Sequence, residues 1–371
     1  MTFDRNSRAA LAALLAAATA TATGCADAPT SPGAAPARAA VDRLVALGFD
    51  PASIADRGEF LVVEGDMLFR KRDLVGPRAS RTPSGPRAQY HTTTLATPAK
   101  MAQGITFNLG SMAGNASWAA AARRAMQIWN YSYGNKIWVS ETTGTADLQI
   151  SMVASLGSSA VAETNMPING YLGSVMYVSQ AYNGLSSGEK TWTMVHEIGH
   201  AIGFRHTNWY GKGEGVSVYG AVHVPGTPTT GGESSSVMTQ VFGRSWSSFT
   251  ANDLLAASVM YPAEAAPLTA AYDAADHPRL EWSAVPEVQK YRVTALYLVE
   301  AWLYEPTLPD YGYWGYDWAY TTVGETTGTS MTASAWTRSQ DASCQLYYYV
   351  EPIYPSGKLG TRSVTQTFDA C

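Results

Sequence analysis

The sequence predicts two folded units in series, an α+β unit followed by an all-β one. Three observations carry this. Between residues 103 and 264, stretches of helical periodicity interleave with short β-rich runs, the pattern of an α+β unit. From 265 to 371, alternating apolar runs are separated by Pro and Gly turns over about a hundred residues, as in an antiparallel sandwich. The charge changes at the same place. Residues 1–264 hold 19 basic and 18 acidic side chains and residues 265–371 hold 6 and 12, so the acidic excess behind the net charge of -5 lies in the last third.

With 371 residues, 46% hydrophobic and 15% charged, the chain is too apolar to be disordered and long enough for more than one core. The charge balance leaves no basic footprint, which argues against nucleic acid and against electrostatic binding to a membrane surface.

The first element is an export signal, residues 1–24. Arg5 and Arg8 precede a small apolar run from Ala9 to Thr23, too short and alanine-rich for a spanning helix. Its end, Ala22-Thr23-Gly24-Cys25, resembles the lipobox of bacterial lipoproteins, which implies acylation of Cys25. An ordinary secretory signal with an incidental cysteine is the alternative. The protein is therefore expected outside the cytoplasm, secreted or in the cell envelope, touching membrane only through such an anchor. Of the three cysteines, Cys344 and Cys371 can pair and leave Cys25 over. None has a close cysteine or histidine partner in sequence, so none is expected to bind metal.

Residues 25–40, rich in Ala, Pro, Ser and Thr, read as a tether. Residues 41–75 carry pattern. Val41, Leu44, Val45 and Leu47 predict a short helix ended by Gly48, and Phe60-Leu61-Val62-Val63 a strand leading to Gly65-Asp66. Residues 76–102 read as a linker, with Arg78, Arg81 and Arg87 among prolines and glycine, continuing a basic run begun by Arg70, Lys71 and Arg72. Such a run is either a solvated connector or a cleavage zone. In the second case residues 41–75 are a pro-segment over an active site, and the mature N-terminus lies at or beyond Ala79.

The segment from 103 to 264 holds the chemistry. Trp118, Ala121, Ala122, Ala125, Met126 and Trp129 recur at helical spacing after a cap at Asn115, while 137–139, 148–152 and 175–178 are β-rich. Then comes His196-Glu197-Ile198-Gly199-His200-Ala201-Ile202-Gly203-Phe204-Arg205-His206. On a helix His196 and His200 project from one face a turn apart, a separation that one metal ion bridges. Met194, Ile198, Ala201 and Ile202 lie on the opposite face and pack inward. Gly203 permits the sharp turn that brings His206 back as third ligand. Three neutral ligands leave a fourth position for water, as in a catalytic zinc site. Glu197 beside the first ligand is placed to act as general base. His91, His223 and His277 lack ligand spacing.

HExxHxxGxxH is the metzincin signature. The wording HEIGHAIGFRH, with Thr207 and then 220–228 downstream, resembles the bacterial dual-action HEIGH metallopeptidases over about residues 41–262. The resemblance implies a metzincin-like catalytic domain over 103–264, built of a twisted mixed sheet plus the active-site helix, a bound Zn2+, and hydrolysis of protein or peptide substrates. It also implies a methionine turn beneath the metal. Met238 in Ser236-Val237-Met238-Thr239 fits better than Met260, because 249–261 reads as a closing helix. Position 240, where some relatives carry tyrosine, is Gln, which leaves Tyr210 and Tyr219 as unassigned helpers. With no cysteine in residues 41–75, latency falls either to an acidic side chain such as Asp66 or to steric cover. By analogy, residues 173–179 are the edge strand for an extended substrate.

Residues 265–371 resemble a fibronectin type III module. Leu280-Glu281-Trp282, Tyr291-Arg292-Val293 and Tyr347-Tyr348-Tyr349-Val350 are its alternating runs. Between them lie Trp302, Tyr304, Tyr311, Tyr313, Trp314, Tyr316, Trp318 and Tyr320. Exposed, these aromatics form a surface for a carbohydrate or protein ligand; paired across strands, they are sheet packing. Two functions compete: an exported zinc endopeptidase, and a surface adhesin or glycan-binding lipoprotein with a vestigial metal site. Catalysis abolished by a chelator and by Glu197→Ala separates them.

Overall fold

The computed structural model describes residues 34–46, 49, 51–63, 65–74, 89–156, 160–208, 221–229, 232–241, 243–305, 308–333 and 345–369. The export signal, Cys25, Cys344, Cys371, Arg78, Arg81, Arg87, Tyr210 and Tyr219 lie outside them. Among the described residues, no helix is long and apolar enough to cross a membrane.

The first helix, α1 (Ala34–Ala46), begins inside the stretch read as a tether. Alanine is the strongest helix former, so a composition that suggests a linker sustains a helix once Ala40 and Leu44 bury one face. Three short strands follow: β1 (Ile54–Arg57), β2 (Phe60–Val63) and β3 (Met67–Arg70), an antiparallel meander. Ala40, Leu44, Phe49, Leu61, Val63 and Met67 form one core with Met166 of the following unit.

The stretch read as a linker to residue 102 is structured from Gln89 onward. Strand β4 (Tyr90–His91) is followed by α2 (Pro98–Gln103), whose first turn is capped by Thr97 and begins with proline, where no backbone N–H is required. Beyond it lie β5 (Ile105–Asn108), α3 (Ala116–Tyr131), β6 (Val139–Glu141), β7 (Leu148–Val153), β8 (Ala162–Asn165), β9 (Val175–Ser179), α4 (Ser187–Ala201), β10 (Phe204–Arg205), β11 (Val222–His223) and α5 (Ala251–Met260). All six apolar residues predicted to face inward on α3 are buried. Trp129 of that helix donates its indole N–H to the Val195 carbonyl of α4 at 3.1 Å.

One eight-stranded mixed sheet runs in the order β1-β2-β3-β8-β9-β7-β5-β6. Strands β6, β5, β7 and β9 are parallel, β8 runs antiparallel to β9, and β3 adds to β8 in parallel register, Met67 opposite Thr164. Of residues 173–179, expected at the edge, 175–179 instead form the interior strand β9. Alternation marks a strand but not its neighbours, and the outer strand from the catalytic side is β8. The N-terminal meander covers that edge.

The all-β unit comprises β12 (Leu268–Tyr272), β13 (Pro278–Trp282), β14 (Lys290–Glu305), β15 (Leu308–Thr326), β16 (Ser330–Thr332), β17 (Gln345–Ile353) and β18 (Gln366–Asp369). They form antiparallel sheets β12-β13-β16 and β15-β14-β17-β18 around Leu280, Trp282, Tyr291, Val293, Tyr348, Val350 and Phe368. Strand β17 pairs with β14 as far as Leu296, and beyond it, among the described residues, β14 and β15 continue as a two-stranded ribbon. The register sets Leu298 opposite Trp318, Glu300 opposite Tyr316 and Trp302 opposite Trp314. Trp302, Trp314, Tyr316, Trp318 and Tyr320 therefore share one face, and each is between 46% and 75% exposed. The side chains of Tyr304 and Tyr311 lie outside the described residues. The stretch shows both features: its aromatics are exposed, and Trp302 also packs edge-on against Trp314 across the strands, their ring centroids 5.7 Å apart.

The two units are bolted together by buried lysines. Lys358 donates to the carbonyls of Asn130 and Ser132 at 2.5 and 2.6 Å, just past the last turn of α3, where free carbonyls attract a cation. Lys136 lies between Glu264 and Glu287 at 3.0 and 2.8 Å.

Candidate metal centre

Helix α4 starts on a capping box: Ser186 accepts from Glu189 N–H and the Glu189 carboxylate accepts from Ser186 N–H. It ends at Gly203, whose φ of 103° is closed to ordinary residues and whose added Cβ would strike Leu95 at 2.7 Å. The chain turns there into β10, which pairs with β4 and delivers His206 beside the helix. Met238 packs on Gly199, where any Cβ would collide with its sulfur, so the helix between the two ligands lies directly on the methionine. Met260 is the last residue of α5.

The three imidazoles converge. His200 Nε2 lies 3.0 Å from His196 Nε2 and 3.2 Å from His206 Nε2. Each helix histidine has its other ring nitrogen on a backbone carbonyl: His196 Nδ1 donates to Val237 at 2.7 Å and His200 Nδ1 to Phe204 at 2.8 Å. On these two rings Nδ1 thus carries the proton, and their Nε2 lone pairs point at one another. Without a cation between them that arrangement is repulsive; with one it is a ligand set whose outer partners fix the tautomer. Trp192, one turn before His196, stacks on its ring at 5.0 Å.

A fourth donor comes from the N-terminal meander. Asp66, in the turn between β2 and β3, places Oδ2 3.1 Å from His206 Nε2 and 3.5 Å from His196 Nε2, with Oδ1 3.8 Å from His200 Nε2. Four donors around a tetrahedral ion at ~2.0–2.1 Å lie about 3.3 Å apart; the Oδ2 separations from His206 and His196 are close to this, and all four ligand atoms lie within 4.8 Å of one another. Asp66 Oδ1 is buried with no hydrogen-bond partner, a costly state that a metal would relieve. Asp66, His196, His200 and His206 form one group able to hold an ion. His91 and His223 instead belong to the small sheet β10-β4-β11, and His277 pairs with Asp273.

Glu197 is buried beside this group and accepts a hydrogen bond from Thr164 Oγ1 at 2.5 Å. Burial, and then the charge of Asp66, push its carboxyl well above the usual carboxylate range. Burial also acts to raise Asp66, but the surrounding imidazoles outweigh it and hold that carboxyl far below the usual range. Burial, joined by repulsion from His196, lowers His200 and keeps it neutral, the form a metal requires.

The shell behind the histidines is anchored on α5. Asp253, buried at that helix's capping box, accepts from Ser236 Oγ at 2.5 Å, Gln89 Nε2 at 2.8 Å and Val237 N at 3.2 Å. It thereby holds the turn whose Val237 carbonyl orients His196. Sequence spacing located the three histidines and Glu197. It did not locate Thr164 or Asp253, and it raised Asp66 only as one option; Trp192, four residues before His196 on the same helix face, was recoverable from helical spacing.

Helices on a mixed sheet, three imidazoles with converging Nε2 atoms and a buried acid beside them are the arrangement of a metallopeptidase. The particular family follows from comparison: the model of the dual-action HEIGH metallo-peptidases matches residues 63–261, more than half of the sequence, and the chain belongs to that family. The match includes Asp66 and Thr164 as well as the three histidines. No curated protein matches the chain. Among solved structures, the chain is similar to two of myroilysin, at 16% and 15% identity. These cover 44% and 50% of this chain and 81% and 100% of theirs, each with a TM-score of 0.30. It is also similar to an Fn3-like protein from Clostridium thermocellum, at 22% identity, over 28% of this chain and 91% of that one, with a TM-score of 0.19.

Proposed function

We propose that the chain is an exported zinc endopeptidase folded here in a latent form, with residues 34–74 as its pro-segment. The observation that carries this reading is the convergence of three Nε2 atoms beside the buried carboxyl of Glu197. His196, His200 and His206 would hold the ion. A bound zinc supplies Lewis acidity, polarising the scissile carbonyl and making the attacking water more acidic. Glu197 takes the proton from that water and returns it to the leaving amine. Met238 floors the site and Trp192 keeps the His196 ring in place.

Latency rests on two contacts of the meander. Asp66 takes the position among the histidines that the attacking water needs, and β3 fills the edge of β8 where an extended substrate would add. Phe49, packed on Phe69, also sits 4.7 Å from the Arg205 guanidinium, next to His206. Gln89 and β4 are built into the catalytic unit, so the releasing cut falls between Leu74 and Gln89, within the basic run. N-terminal sequencing of active protein tests this; a start before Leu74 argues against it.

Elemental analysis, with hydrolysis of casein or a quenched peptide by processed protein, tests the main reading. The expected result is one zinc per chain and activity lost on chelation and in Glu197→Ala. Export by residues 1–24, with either a lipid on Cys25 or free secretion, is tested by labelling with a fatty acid. Pairing of Cys344 with Cys371 is tested by thiol mass spectrometry. The seven-stranded unit is assigned as fibronectin type III-like, and its exposed aromatic face supports a carbohydrate or protein ligand. A glycan array with the full chain tests that assignment, and binding without any turnover would favour the adhesin reading instead.

A further inference from the structure

Strand β8 carries a hydroxyl that the ligand set leaves unexplained. Its residues alternate, so Ala162 and Thr164 face α4 while Glu163 and Asn165 face the other way. Thr164 is fully buried, and its Oγ1 donates to Glu197 Oε2 at 2.5 Å. Its backbone N–H donates to the Asp66 carbonyl at 2.6 Å. One residue therefore touches both the acid of the site and the chain lying along the sheet edge.

We propose that Thr164 is the positioning residue for Glu197. This rests on the reading of Glu197 as general base. A glutamate side chain beside a water-filled cleft has three rotatable bonds and two equivalent oxygens. Holding Oε2 on a hydroxyl fixes the carboxylate plane and leaves Oε1 as the atom that would take the proton. Threonine suits the task because its β-branch restricts χ1 and favours a strand, so the hydroxyl is aimed before substrate arrives. Among the described residues no other side chain donates to Glu197. The backbone N–H of Thr164, now on Asp66, becomes the donor for a substrate carbonyl once the meander leaves. The register of the bound strand and the orientation of the base are thus set by the same residue.

The test compares wild type, Thr164→Val, Thr164→Ala and Thr164→Ser as full-length, zinc-loaded proteins, processed identically. Valine keeps the shape of the side chain and its strand preference but removes the donor; alanine serves if valine does not fold. The expected result is a kcat lower by about tenfold to a hundredfold in Val and Ala, the cost of a misplaced catalytic group. KM and zinc content should stay within about twofold, and Ser should recover most of the rate. Infrared difference spectra against Glu197→Gln supply a readout independent of turnover: the Glu197 carboxylate band shifts in Val and Ala and returns in Ser. A kcat retained in Val and Ala, a Ser variant as slow as Val, a loss confined to KM, or an unshifted band each overturns the proposal. An inactive wild type with a shifted band would count against the peptidase reading and in favour of this contact.

Discussion

Replacing Asp66 by alanine is the sharpest test of the proposed latency. The carboxylate oxygen at 3.1 Å from His206 and 3.5 Å from His196 is a charged acceptor in a buried site. A hydrogen bond or ligand contact to a charged group is worth about 1.5–3 kcal/mol net. Removing it leaves β3 paired to β8 and the apolar core of α1 intact, so the meander still docks, but more weakly. If full-length protein turns over substrate only from the undocked state, that state grows about tenfold to about 150-fold, since each 1.4 kcal/mol is a factor of ten. The assay is the initial rate of quenched-peptide cleavage by unprocessed protein, with zinc content and thermal midpoint measured alongside. Processed wild type sets the ceiling. Unprocessed Asp66→Ala that retains zinc and fold yet is no faster than unprocessed wild type would refute the claim that Asp66 enforces latency.

Three further outcomes are expected. Glu197→Gln should lower kcat/KM by about 10²–10⁴-fold while keeping stoichiometric zinc, because Glu197 lies outside the ligand group; loss of metal would show that it helps bind the ion. Gly203→Ala, strained at φ 103° and crowded against Leu95, should destabilise the fold by about 1–3 kcal/mol and weaken zinc affinity by displacing His206, measured by melting and by competition with a chromogenic chelator. At the junction of the units, burial acts to raise Glu264, but hydrogen bonds from Lys136 and Tyr354 outweigh it and lower the carboxyl below its ordinary 4.5. A carboxyl lowered by folding contributes stability above its unfolded pKa, and the contribution is lost as pH falls through the folded one. Melting followed from pH 7 to pH 3 should therefore show a loss below about pH 4.5 that is smaller in Lys136→Met.

Much of the catalytic site was legible along the chain because its geometry is local. His196 and His200 share a face through helical pitch alone, and Gly203 supplies the one backbone conformation that returns His206 within three residues. The buried face of α3 was readable for the same reason. Elsewhere local pattern misled. Alanine-rich residues near 34–40 have the composition of a tether and the propensity of a helix, and only the core formed with Leu61, Val63 and Met166 selects the helix. Residues 175–179 read correctly as a strand, yet their place inside the sheet depends on β8, which the sequence does not order.

The sequence by itself determined that three histidines and an acid come together and that a turn closes the set, since each follows from dihedral preferences over a few residues. Tertiary structure alone decided that Asp66 joins three histidines at least 130 residues away, that Thr164 reaches Glu197, and that the aromatic ribbon faces outward. The physical reason is common to all three. Periodicity tells which side chains share a face, whereas which surface meets that face is set by strand pairing and packing across long stretches of chain, for which no short-range signal exists.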